Sequence, residues 1–539
     1  MLRIGQIKIP YRDGDSKIYT TLLKKLHIQE QEMLSWRIYK KSIDARKKHE
    51  IMSVYTVDVR LKHENAFLKR NRNKNIQKIE YKAYEFPKAG EGLLKHPIVI
   101  TGSGPAGLFC ALMLARYGYR PILLERGMDV ERRQDVVGRF WETGEFQTDT
   151  NVQFGEGGAG TFSDGKLNTL VKDPSGRHRK VLELFVEFGA EPEILYVNKP
   201  HIGTDVLCHI VKAMREEIIA LGGKVCFESK LTDIRTEKGR LTSVCVNDHS
   251  WIDCECLVLA VGHSARDTFR MLKERGLPMT AKSFAIGVRI EHPQEMINQS
   301  QYGMDRDDIL GSAAYKLTYT ASNGRGVYTF CMCPGGYVVN ASSEEGGCVV
   351  NGMSYHGRNS GNANSAVIVT VTPEDFPSDD VMAGVEFQRF WEQRAYTEGK
   401  GRIPVQLYGD FCESRVSQNF GEVRPVHKGA TTFADLNRCL PIYVCESLKE
   451  AIEAFGYKIQ GYDRKDAILS GVETRTSSPI RMERDGELQS EIRGIYPCGE
   501  GAGYAGGITS AAMDGLRIAE AIRKVYRPMD ESYKEQKKR

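Results

Sequence analysis

The sequence has no run of about 18 consecutive apolar residues of the kind that spans a bilayer, and its 27% charged residues are those of an ordinary globular protein. It also lacks any Cys-x-x-Cys pair. The thirteen cysteines are odd in number and scattered, which argues against a disulfide framework, an iron–sulfur cluster and a structural zinc site. Met1 to Pro10 alternates apolar and polar residues, without the apolar stretch or small-residue cleavage site of a signal peptide. The expectation is a soluble cytoplasmic protein with no membrane partner and no metal.

At 539 residues the chain exceeds a single core, and roughly 100 to 200 residues per domain predicts about three or four units. Residues 1–95 read as a small α+β domain: strand Leu2 to Ile9, helix Ile18 to Leu26, strands Trp36 to Ile43 and Ser53 to Leu61, then a polar connector over 65–95. Residues 1–96 hold 22 Lys and Arg against 11 Asp and Glu, whereas the remainder holds 53 against 59. This basic surplus suits docking of an acidic electron-carrier protein, RNA or an anionic surface, with a solvated basic face the plain alternative; nucleic acid is disfavoured because no aromatic and basic RNA-binding motif is visible.

From His96 the pattern becomes strand (Pro97 to Thr101), helix (Ala106 to Tyr117) and strand (Pro121 to Glu125), the opening βαβ of a doubly wound sheet. Between strand and helix lies Gly102-x-Gly104-x-x-Gly107. The first glycine permits the tight turn, the second lets backbone approach a pyrophosphate, and the third lets helix pack on strand. Phosphate then sits on free amides at the positive end of the helix dipole. Glu125, at the end of the second strand, is placed to accept from ribose hydroxyls and to repel a 2′-phosphate, which disfavours NADP but leaves NAD open.

Two further glycine-rich segments bear on the choice of dinucleotide. In Gly494 to Gly515 a strand ends at Cys498-Gly499-Glu500, a turn with Gly506 and Gly507 follows, and a helix starts near Ile508. An acidic strand end to hold a ribityl hydroxyl and a helix N-terminus to face the anionic edge of a reduced flavin suit FAD. Phe154 to Leu167 offers many backbone donors and hydroxyls for a pyrophosphate or a flavin edge. The contacts expected here are Gly158, Gly160, Thr161, Ser163, Gly165, Lys166 and Leu167. Those expected elsewhere are Gly102, Gly104, Pro105, Ala106, Gly107, Glu125, Arg126, Leu231, Ala260, Gly262, Gly499, Glu500, Gly506, Gly507 and Ile508.

With these motifs stand Pro200-His-Ile-Gly-Thr-Asp205, Gly262-His-Ser-Ala-Arg-Asp-Thr268, Cys331-Met-Cys-Pro-Gly-Gly336, Asn362-Ala-Asn-Ser-Ala366 and Gly471 to Pro479. On them the chain resembles, over nearly its whole length, the FAD-dependent dehydrogenases of largely uncharacterised function within the wider glutathione-reductase-like flavoprotein group. The resemblance implies FAD bound in extended form, with Gly262 at a strand-end turn beside it. It departs from the wider group at Glu500, where Asp is usual.

The expected fold class is α/β: a Rossmann-like FAD-binding domain over 96–280 and 421–530, an inserted β-rich substrate domain over 281–420, the N-terminal α+β domain, and a disordered tail over 531–539. No second Rossmann domain dedicated to NAD(P)H is read, so the reductant is expected either to visit the flavin directly, as diffusible NAD(P)H would, or to be another protein. The expected function is oxidoreduction of a small organic substrate; a flavoprotein of tRNA modification and a non-catalytic flavin binder are the alternatives. For chemistry the candidates are Cys333, which ends a strand at a Pro-Gly-Gly turn, and the turn-set histidines His263 and His356, with His201 and His427 behind them. Arg266, Arg358, Arg415 and Arg475 are candidates for holding a carboxylate or the pyrophosphate, with ordinary ion pairing the commoner use.

Overall fold

The computed structural model describes residues 1–71, 73–81, 83–169 and 171–528; the tail expected to be disordered lies outside them. The N-terminal strands Leu2–Pro10, Met33–Asp44 and Met52–Leu61 form where apolar and polar residues alternate, with helix Ile18–Leu26 on one face. Ile4, Ile7, Leu22, Tyr55, Val57 and Val59 are the core between sheet and helix. The segment read as a polar connector contributes helix Glu64–Arg70 and strand Ile76–Lys78, which pairs with the first strand. One apolar residue in that strand, Ile76, joins the core, too little periodicity for the sequence to signal a strand.

The second unit is built on a five-stranded parallel sheet in the order Ile495–Pro497, Leu257–Leu259, Val99–Thr101, Ile122–Leu124, Lys224–Cys226. Helix Pro105–Arg116 is apolar on all sides because it is covered on all sides: ten of its residues are buried. It packs between the sheet, helix Thr204–Ala220 and helix Ile508–Val525. Val99–Thr101 lies where the chain leaves the sheet to opposite sides, the crevice at which doubly wound sheets bind ligands.

The inserted domain carries a seven-stranded sheet in the order Thr318–Thr320, Gly326–Cys333, Asn362–Val371, Phe284–Pro293, Ile468–Glu473, Ile403–Leu407, Thr431–Phe433. The expected end of this domain at residue 420 is therefore wrong. Thr431–Phe433 and Ile468–Glu473 pair inside its sheet, and helix Ile442–Gly456 packs on its core. Return to the parallel sheet comes only with Ile495–Pro497. Phe284–Pro293 is central and buried along nearly its whole length, its polar Arg289, Glu291 and His292 included. Among the described residues, no helix is long and apolar enough to cross a membrane.

Candidate functional site

One cleft of about 1690 Å³, counting its open mouth, runs across the carboxyl end of the parallel sheet and is walled on its far side by the inserted domain. Two helices open onto it. Pro105–Arg116 starts at Gly104 and Ile508–Val525 at Gly507, and among the described residues neither start is capped by a side chain. Their first amides and positive dipole ends are thus left for an anion. Gly107 allows the close packing beneath: a Cβ there would lie 1.9 Å from the Gly102 carbonyl oxygen. Gly104 is different, since a Cβ would meet only Gly158 Cα at 3.8 Å and would project into the cleft.

The glycine-rich loop is held from beneath by Arg133, which no sequence signal singled out. Its buried guanidinium, on helix Val130–Thr143, donates to the carbonyls of Asn151, Val152, Gly155, Glu156 and Gly158 at 2.6 to 3.2 Å. Glu125 is buried at the cleft wall, but its role as a free ribose acceptor is corrected. Oε2 accepts from Ser103 N and Oγ, both at 2.8 Å, and Oε1 from Gly127 N and Gly155 N, both at 3.0 Å. Four protein donors fill the acceptor capacity of a carboxylate, so Glu125 organises three loops rather than waiting for a ligand. Arg126 beside it pairs with Asp267 at 2.8 Å and lies over the Phe154 ring.

Of the residues expected at the dinucleotide, Gly102, Gly104, Pro105, Ala106, Arg126, Gly158, Gly160, Ser163 and Lys166 line the cleft with Glu125. So do Leu231, Ala260, Gly262, Glu500, Gly506, Gly507 and Ile508. Gly107, Thr161, Gly165, Leu167 and Gly499 lie behind the wall. Thr161 Oγ1 donates to the Glu156 carbonyl at 3.3 Å, and the Leu167 carbonyl accepts from Thr509 Oγ1 at 2.9 Å. Gly165 packs on the Gly203 backbone, and Gly499 packs on Ala106 while donating to Asp514 at 2.8 Å.

Among the expected catalytic residues only His263 reaches the cleft. Its Nδ1 lies 3.0 Å from Glu500 Oε1, and its buried Nε2 has no partner among the described residues. His356 is turned away: it stacks on His201 with ring centroids 5.4 Å apart, and its Nδ1 lies 2.9 Å from the Ile202 carbonyl. Burial, and Arg358 after it, lowers His201 to about 4. His427 is buried beside Glu291 at 3.0 Å. Cys333 is fully buried and does not line the cleft; Cys331 does. Period-two alternation would give the two thiols one orientation, but the pairing with Asn362–Val371 slips between Phe330 and Cys333, and Cys331 takes φ 43°.

Five cleft groups from the inserted domain were not read from the sequence: Phe330, Cys331, Asn351, Glu473 and Thr476. Glu473 pairs with buried Arg289 at 2.6 Å, yet burial pushes its carboxyl up to about 7. Lys166 donates to the Met332 carbonyl and pairs with Asp164 at 3.1 Å. Burial works against ionisation of Asp164, but Lys166 and Arg358 hold it low, at about 2. The arginine candidates divide as ordinary ion pairs: Arg358 on Asp164, exposed Arg415 on Asp410 and Glu413, and buried Arg266 and Arg475 together on Glu392.

Comparison with known proteins adds the following. A family model described as FAD-dependent protein, C-terminal domain-like, matches residues 283–476, the extent of the inserted domain. A domain of unknown function matches residues 1–60. An uncharacterized protein of Clostridium beijerinckii is 50% identical over 526 residues, covering 97% of this chain and 98% of that one. Among solved structures, the glycerol-3-phosphate dehydrogenase from Bacillus halodurans complexed with FAD aligns with a TM-score of 0.35 at 13% identity, over 79% of this chain. The match spans 64% of that enzyme's length. The L-proline dehydrogenase from P. horikoshii aligns with a TM-score of 0.33 at 12% identity, over 81% of this chain and 96% of that one.

Proposed function

This chain belongs to one family with the uncharacterized Clostridium beijerinckii protein, over almost the full length of both, and from that premise we propose that it is an FAD-dependent oxidoreductase, a dehydrogenase or reductase of a small organic substrate. The observation that carries the reading is the meeting, in one cleft, of two uncapped helix starts with a polar wall contributed by the inserted domain. The FAD-dependent family model over residues 283–476 supports the cofactor. The fit is also chemical. The open space over Gly104, Gly506 and Gly507 faces the cleft, and His263 lines it with a buried Nε2 that has no partner among the described residues.

In this reading the Gly102 to Gly107 turn would hold the pyrophosphate on backbone amides, and the start of helix Ile508–Val525 would favour negative charge on the reduced isoalloxazine. Bound FAD supplies the hydride and electron-pair chemistry. The chain's own groups do the rest. Phe330, Asn351 and Glu473 line the wall against which a substrate lies, and the inserted sheet excludes water from it. A carboxyl that changes protonation at about 7, as Glu473 does, can hold or release a proton at neutral pH. Arg289 fixes its orientation. The reductant is proposed to be diffusing NAD(P)H or an acidic electron carrier docked on the basic N-terminal unit.

The test is direct. Purified protein should show flavin absorbance, release FAD on denaturation, and bleach anaerobically with NADH, NADPH or a reduced carrier. Protein that neither carries nor takes up FAD overturns the reading. Bound FAD that no reductant bleaches favours a non-catalytic flavin binder.

A further inference from the structure

The sequence contains the spacing Cys-x-Cys twice, at Cys254/Cys256 and at Cys331/Cys333, and the fold treats the two pairs in opposite ways. Cys254 and Cys256 are buried in apolar core, and burial pushes both thiols up, Cys254 to about 12. They are inert packing residues. Cys331 and Cys333 lie at the end of strand Gly326–Cys333, against the far wall of the cleft, with Cys331 partly exposed to it and Cys333 buried behind.

The backbone between these two thiols is pinned by cations from both domains. Arg289 donates through both Nη atoms to the Cys331 carbonyl at 3.2 Å, while Lys166, from the glycine-rich loop, donates to the Met332 carbonyl. Arg289 is itself held by Glu473 and Asn364, both at 2.6 Å. The Cys333 thiol donates to the Cys331 carbonyl at 3.2 Å. The bulge that turns Cys331 to the cleft requires a left-handed backbone at a non-glycine residue, φ 43°, a conformation that costs energy and persists only where surrounding contacts enforce it. The acidities divide accordingly. Contact with Cys333, then the charges of Lys166 and Arg289, lower Cys331, whereas burial raises Cys333. A low-lying thiol at the surface of a cleft with a second thiol behind it is the arrangement of an attacking and a resolving cysteine.

We propose that Cys331 and Cys333 are a redox-active thiol pair that interconverts with an intrachain disulfide and exchanges an electron pair with the group bound in the cleft. This rests on the reading of that group as FAD. In the oxidative direction Cys331 enters as the thiolate, the Cys333 S–H bond breaks and one S–S bond forms. Two electrons and one proton leave, and all go to oxidised flavin. Reduction of the disulfide is the reverse. Cys331 is the thiol on the cleft side, and Cys333 closes the bond. Lys166 and Arg289 are positioning residues for the segment between them.

The experiment has two arms on the full chain. In the first, protein with and without FAD is equilibrated in glutathione buffers of graded potential, trapped by alkylation and mapped by mass spectrometry. The peptide bearing Cys331 and Cys333 should become lighter by two hydrogens, reversibly, while the peptide bearing Cys254 and Cys256 stays alkylated. Persistent alkylation of Cys331 and Cys333 across the whole range overturns the proposal. In the second arm, anaerobic reductive titration of oxidised holoprotein should consume twice as many reducing equivalents per flavin as Cys333→Ser. Cys333→Ala and Cys331→Ser should behave as Cys333→Ser does. Equal consumption by wild type and variants overturns transfer to flavin. A chain that carries no flavin removes the oxidoreductase reading and, with it, electron exchange with flavin, whereas the first arm still decides whether the disulfide forms.

Discussion

Arg266, at the start of helix Arg266–Glu274, and Glu392, in helix Ala383–Glu398 of the inserted domain, face each other at 2.7 Å with both side chains buried. Glu392 also accepts from Arg475 at 2.8 Å, so one carboxylate bridges two buried guanidiniums across the junction of the domains, and Glu344 supplies Arg266 with a second carboxylate at 2.7 Å. The ionised form of Glu392 is strongly favoured, because the two arginines outweigh the cost of burial. Removing one partner of a buried ion pair typically costs about 3 to 5 kcal/mol. Glu392→Ala should therefore destabilise the protein by about that amount, read by denaturant unfolding. A change within about 0.5 kcal/mol would mean that the junction is not held this way.

Gly104→Ala separates ligand binding from folding. Among the described residues the new methyl's nearest contact outside its own chain neighbours is Gly158 Cα at 3.8 Å, and Gly104 has φ −66°, which alanine adopts freely. Unfolding of the flavin-free protein should be unchanged or slightly stabilised. Affinity for FAD, measured by fluorescence titration, should fall by at least about tenfold, because the methyl occupies the approach of a phosphate to the helix start. Undiminished affinity would place the pyrophosphate elsewhere.

His263→Ala tests the buried Nε2 that has no partner among the described residues. If that atom serves the bound group, its loss removes one hydrogen bond, and FAD affinity should fall by about tenfold. His263→Asn, which keeps a polar group on the same loop, should recover part of it. Unchanged affinity in both variants assigns Nε2 no ligand.

Cys331 gives the pH dependence. Contact with Cys333, Lys166 and Arg289 lowers its thiol from the ordinary value of 9 to about 5. The thiolate is the nucleophile, so alkylation of Cys331 should rise through about pH 5 and level off above it. At an ordinary thiol the rate keeps rising towards pH 9. Lys166→Met should move the midpoint upward, since the thiolate loses a neighbouring cation. The linkage has the same sign: the stability from this ionisation is present above the unfolded value and is lost as pH falls through about 5. Site-resolved mass spectrometry reads the rates, and a midpoint near 9 in the wild type would contradict the arrangement.

What the sequence by itself determined is local. The Gly102 to Gly107 turn lies between strand and helix as its spacing requires, because both elements are set by short-range periodicity and the turn by glycine conformation. The N-terminal strands and helix fall within a few residues of their expected bounds for the same reason. The tertiary structure decided what depends on partners distant in the chain. Glu125 was legible as a carboxylate at a strand end, but not as one already satisfied by Ser103, Gly127 and Gly155. The inserted domain was legible as β-rich, but not that Thr431–Phe433 and Ile468–Glu473 complete its sheet, since strand partners leave no mark on either strand. Cys331 rather than Cys333 reaches the cleft because one extra residue opposite Asn362–Val371 shifts the register there. Alternation along a strand assumes an unbroken ladder, and only the pairing between strands reveals where it breaks.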